Sequence, residues 1–276
     1  LTNLPNDFKA EKVDQLYDAT DSIQAHSYDI VAWHFNDYFW ANSDSAFWAD
    51  RIASKLSPTD SLVYKKPVLN GDTPGWEFEK LAKGSHNYER YRLLRYGNQM
   101  YSILSTLPVS ATDTRNINHF FESVRFRKPA PASRLLESHA GILLADLFAQ
   151  DSSIAANALG FMDTAPFSIN DLDTLQNTLA RKDIYQYPQN ITDQVQAITS
   201  KSTALHDSSS FRFASELYPR VPDSNSLLKN ALLVIMASFP SPENFSTIAD
   251  QLSYSIPGEG ISADFINALK DTARLT

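Results

Sequence analysis

The chain has 276 residues, enough for one large domain or two modest ones. With 43% hydrophobic and 20% charged residues it is not a disordered chain, and its formal net charge of −8 lacks the broad positive field that binding a nucleic-acid backbone requires. It has no cysteine, which excludes disulfides, CxxC metal or redox sites and thiol nucleophiles, and its 8 glycines favour helices over an all-β fold rich in tight turns.

In chain order, residues 8–40 contain neither proline nor glycine. Val13, Leu16, Tyr17, Thr20, Ile23, Ser27, Ile30, Val31, His34, Phe35 and Tyr38 recur there at helical spacing. The pattern predicts a first helix of at least about 25 residues. Its second half is aromatic on nearly every side, so Trp33, Phe35 and Phe39 are expected to be buried. Residues 62–69, with Pro67 among them, read as extended, at a sheet edge or in a loop. Thr73 and Pro74 place a proline at the start of a further helix. On a helix over residues 88–99, Arg92, Arg95 and Gln99 share one polar face, and Tyr88, Tyr91, Leu94, Asn98 and Tyr101 lie on another.

Pro129 and Pro131 mark residues 127–132 as an extended linker. Beyond it, helix-entry signals recur. Ser168 with Asp171 and Asn190 with Asp193 resemble capping pairs, as does Ser110 with Asp113 upstream, and Pro242 follows Ser241. Apolar stripes follow: Leu172, Leu175, Leu179; Val195, Ile198, Leu205; Phe245, Ile248, Leu252; Phe265, Ile266, Leu269. The expected fold class is all-α, with about a dozen helices. An aromatic-rich lobe over residues 1–130, a bundle around the long first helix, precedes a lobe of shorter helical hairpins over residues 131–276. Both lobes could also form one continuous domain.

Residues 80–134 hold ten bases and three acids, a segment of +7 inside an acidic chain. Arginine is suited to an anion because its planar fork pairs bidentately with carboxylate or phosphate. The expected ligand site is Arg92 and Arg95, with Tyr91, Tyr96 and Trp76 as a wall. His34 interrupts the aromatic stripe and joins them as a group that could titrate in a buried setting. The competing reading is that the bases pair with the acidic residues of the opening segment, Asp29, Asp37 and Asp44 among them.

The six histidines lack HxxxH or HExxH spacing, so no metal site is expected. GxSxG, GxGxxG and phosphate-loop motifs are absent from the sequence, and no cofactor is expected. The chain opens on Leu1 rather than methionine, which predicts loss of an upstream signal peptide, lipoprotein leader, membrane helix or tag. The expected function is an exported, non-enzymatic binding module, periplasmic or extracellular. A sensor domain in signal transduction or an envelope lipoprotein, taking a small anionic ligand, fits best. A membrane tether would lie outside these residues. The alternatives are a scaffold for a protein partner of the cell envelope and an enzyme acting on an anionic glycan.

Overall fold

The structure is a computed structural model that describes the backbone of residues 11–21, 26–110, 115–186 and 191–273, and the side chains of residues 27–110, 115–185 and 191–270. The chain divides into two compact units, Leu1–Glu137 and Ser138–Thr276.

The first unit is built on a sheet, which corrects the all-α expectation and the helical bundle that went with it. The predicted opening helix is instead two antiparallel strands, β1 (Glu11–Asp21) and β2 (His26–Phe35). Four more strands follow helix α1 (Asp44–Ala53): β3 (Ser61–Asn70), β4 (Thr73–Leu81), β5 (Asn87–Tyr96) and β6 (Gln99–Pro108). All pairings are antiparallel, in the order β1-β2-β6-β5-β4-β3. The extended reading of residues 62–69 holds: they belong to β3, at the edge of the sheet, where Pro67 removes a donor at little cost. Thr73 and Pro74 open a strand rather than a helix.

Each face of this sheet is covered by one helix. On one face Trp33, Phe35, Phe78, Tyr91, Leu93 and Met100 pack against Phe47, Trp48 and Ile52 of α1. On the other, Leu94, Ile103 and Leu107 pack against Ile117 and Phe121 of α2 (Arg115–Ser123). Successive strand residues point to opposite faces, so a sheet buried on both sides needs apolar residues at nearly every position. That is why β2 reads as apolar all round. Trp33 and Phe35 are buried as expected, and Phe39 is half-buried with its ring stacked 4.7 Å from Phe35.

The second unit is helical: α3 (Ala140–Asp146), α4 (Ser152–Met162), α5 (Leu172–Leu179), α6 (Thr192–Ala204), α7 (Ser208–Leu217), α8 (Ser226–Ala237), α9 (Pro242–Tyr254) and α10 (Ala263–Ala273). The Ser168–Asp171 capping box forms, and Ser241 caps α9 with Pro242 in its first turn. The Ser110–Asp113 pair and Asn190 fall partly or wholly outside the described residues. Helix α8 is the centre, touching α6, α7, α9 and α10. Its run of Leu232, Leu233, Ile235, Met236 and Ala237 is fully buried, as an all-round apolar helix must be. Lys229, also fully buried, pairs with Asp223 and Ser255 and lies 4.7 Å from the Tyr218 ring centre. These bonds hold Asp223 below the usual carboxylate range: the hydrogen bond from Lys229 first, that from Ser255 second. Among the described residues no helix is long and apolar enough to cross a membrane.

Candidate functional site

Strand geometry separates the residues that a helical reading of 88–99 placed together. On β5, Tyr91 and Arg95 face α1, whereas Arg92 and Tyr96 face α2. Trp76 packs with the α1-side cluster. His34 is exposed and opposes Gln99, whose amide nitrogen lies 2.5 Å from its Nε2. The six residues do not share one cavity.

The arginines are already engaged. Arg95 donates to Asp44 at 2.6 Å, with its guanidinium over the Phe47 and Trp48 rings. Arg92 gives Nε and Nη2 to one carboxylate oxygen of Glu77, at 2.9 and 2.5 Å, and its third nitrogen to the Phe121 carbonyl. Arg90 donates to the other Glu77 oxygen at 2.7 Å and to Asn118. The Tyr64 hydroxyl donates to Glu77 at 3.0 Å, and Lys66 lies 3.4 Å away. Burial alone would raise the fully enclosed Glu77 carboxyl. The hydrogen bonds from Arg92 and Arg90, and their charges, outweigh that and hold it at about 2. Burial raises the Glu79 carboxyl and the Tyr64 and Tyr91 hydroxyls. On the opposite face Lys80 donates to Asp60 at 2.9 Å and lies 3.4 Å from Glu89. The acids paired with these bases are therefore mainly on the strands and the loop before β3, and Asp44 comes from the acidic opening region.

Glu77 is the residue that sequence reading missed. Its signal was the alternation of Trp76, Phe78 and Lys80 against Glu77 and Glu79, which is the period of a strand.

Three further bases, Arg125, Arg127 and Lys128, are in the segment after α2. There Phe126 points inward, stacked 4.4 Å from Tyr96 and edge-on to Tyr101, while Arg125, Arg127 and Lys128 are exposed. The Tyr96 hydroxyl donates to the Lys128 and Pro129 carbonyls at 3.3 and 3.1 Å. Asn70 ties the start of the segment to the β3–β4 turn by donating to the Val124 carbonyl at 2.9 Å. At the β5–β6 turn the backbone is left-handed at Gly97, and a Cβ there would lie 2.5 Å from the Pro131 ring. The segment is thus a strap seated on aromatic side chains and a glycine.

Between the strap, residues 125–130, and the turn, residues 70–73, is a concavity of about 240 Å³. Its charges are Arg125, Arg127 and Lys128 against one carboxylate, Asp72. Arg125 spends one bond on the neighbouring Val124 carbonyl, and none of the three cations has an acidic partner among the described residues. Buried Asn70 and Thr73 add polar atoms to the wall. Chemically this is a small, solvent-facing concavity whose excess of positive charge suits an anion. Among the described residues no group of three or more histidine, aspartate or glutamate side chains is arranged to hold a metal. No protein-family model matches the chain, and no curated protein matches it.

Proposed function

We propose that the chain is a binding module for a small anion, recognised by its first unit between the β3–β4 turn and the strap. The observation that carries this reading is the contrast among the bases of residues 80–134. Lys80, Arg90, Arg92 and Arg95 are used up in ion pairs with Asp60, Glu77 and Asp44 inside the first unit. Arg125, Arg127 and Lys128 line a concavity with a single acid opposite. Guanidinium forks on a pinned backbone suit carboxylate, phosphate or sulfate oxygens. Binding rather than catalysis is favoured because the strongly shifted Glu77 is enclosed by its arginines, its side chain wholly shielded from solvent. The lack of cysteine supports an exported setting, as a sensor domain or an envelope protein.

Calorimetric titration with inorganic phosphate, sulfate, citrate and a uronate oligosaccharide tests this. We expect one of them to bind, and Arg127→Ala to weaken it about tenfold or more, the loss of one charge-assisted contact. Arg125→Ala should act likewise, and affinity should fall with added salt. The reading fails if none of the anions binds or if both variants bind as tightly as the wild type.

A further inference from the structure

We propose that the second unit carries a separate site of opposite polarity, a groove between α6, α8 and α10 that takes a small organic ammonium ligand. The groove encloses about 570 Å³, within the range of about 300–1,000 Å³ usual for small-molecule sites. Its floor is apolar, with Val195, Ala231 and Val234. Its walls are polar: Gln196 and Ser200 on α6, Asn267 and Asp264 on α10, and Glu259 from the loop before α10.

Among the described residues no lysine, arginine or histidine lines this groove, and neither Glu259 nor Asp264 has a basic partner. Gln196, Ser200 and Asn267 make no side-chain hydrogen bond there either. The lining therefore offers acceptors and negative charge to whatever enters. An anion would be repelled. A bare divalent cation needs six or more oxygen ligands at short range, and two carboxylates from separate elements do not make such a cage. An ammonium group on a carbon skeleton matches both parts, its charge toward Glu259 and Asp264 and its methylenes on the apolar floor.

The loop that supplies Glu259 is held in advance on both sides. The Glu259 amide donates to the Ser226 hydroxyl at 2.9 Å, and the Gly258 amide to the Asp223 carbonyl at 2.8 Å. Asn230 of α8 donates to the Gly260 carbonyl and accepts from the Ser262 amide, at 3.1 and 2.8 Å. The wall is thus positioned before a ligand arrives, which lowers the ordering cost of binding.

The test uses the full chain and four compounds: 1,4-diaminobutane, spermidine, the uncharged match 1,4-butanediol, and calcium chloride. Calorimetry should detect an amine, with amide resonances of α6, α8 and α10 shifting in NMR spectra. Glu259→Gln and Asp264→Asn should each weaken it about tenfold. Asp250→Asn, an exposed acid on α9, and Arg127→Ala in the first unit should leave it unchanged. The proposal is overturned if neither amine binds at millimolar concentration, if the diol binds as well as the diamine, if calcium alone binds there, or if Asp250→Asn weakens binding as much as the groove variants. Because Arg127 takes no part, this outcome is independent of the anion reading.

Discussion

Glu77 and Ser105 point from the same face of the sheet and make opposite predictions. Glu77 is enclosed by two arginines, so removing its charge leaves two largely shielded guanidinium groups without their shared counterion. Glu77→Gln should cost about 3–5 kcal/mol in urea unfolding. The Ser105 hydroxyl is fully buried with no hydrogen-bond partner among the described residues, so Ser105→Ala should be neutral or stabilising by up to about 1 kcal/mol. A clear loss of stability in Ser105→Ala would show that the hydroxyl is satisfied. The Glu77 pair also sets an acid limit. Its carboxyl titrates lower in the folded chain than in the unfolded one, so its contribution is complete above an unfolded value near 4.5 and is lost as pH falls towards 2. Asp60, held down first by its hydrogen bond from Lys80, acts in the same direction. The urea midpoint should therefore drop across that window, and Glu77→Gln should flatten the drop.

Strand β4 owes its register to a residue with no side chain. A Cβ on Gly75 would sit 2.3 Å from the Leu93 carbonyl oxygen and 2.6 Å from a Leu94 methyl. Backbone cannot yield as a flexible side chain can, so Gly75→Ala should cost roughly 1–3 kcal/mol and lower the urea midpoint. The strap makes a different prediction. Phe126→Ala removes its seat between Tyr96 and Tyr101, so amide exchange should accelerate over residues 125–130 and anion affinity should fall. Unchanged exchange would mean that the hydrogen bonds from Tyr96 and Asn70 hold the strap without the Phe126 ring. These elements were only partly legible in the sequence. Edge strand β3 was readable because Pro67 and its bordering polar residues mark it. β2 was not, because both faces of the sheet are covered, and apolar residues on both sides erase the alternation that distinguishes a strand from a buried helix. Between β1 and β2 the sequence Ser22, Ile23, Gln24, Ala25 offers no glycine or proline as punctuation. The β3–β4 and β5–β6 hairpins were readable in principle: Gly71-Asp72 and Gly97-Asn98, their two-residue turns, are hairpin signals. The basic segment was visible in the sequence, but a helical period put Arg92 with Arg95. Three residues along a strand put them on opposite faces, and two of the three bases left to line a concavity, Arg127 and Lys128, came from the proline-rich stretch that read as a linker.

At the scale of the whole molecule the two units differ in kind, one a sheet with a helix on each face, the other helices around α8. Each has its own buried core, so residues 1–137 and 138–276 produced separately should each fold. Circular dichroism should give a strand-rich spectrum for the first and a helical one for the second. A disordered spectrum for either piece would show that it depends on the other. The strand order carries one more consequence, for synthesis. β2 pairs with β6, and even the near end of that ladder, His34 against Gln99, joins residues 65 apart. A ribosome adding roughly 5–20 residues per second leaves about 3–13 s between the emergence of the two. Throughout that interval Trp33 and Phe35 have no finished sheet to enter, so the first strands of the chain are among the last to be secured. Nascent chains stalled between residues 40 and 99 should bind chaperones through this aromatic segment and release them once β6 has cleared the exit tunnel.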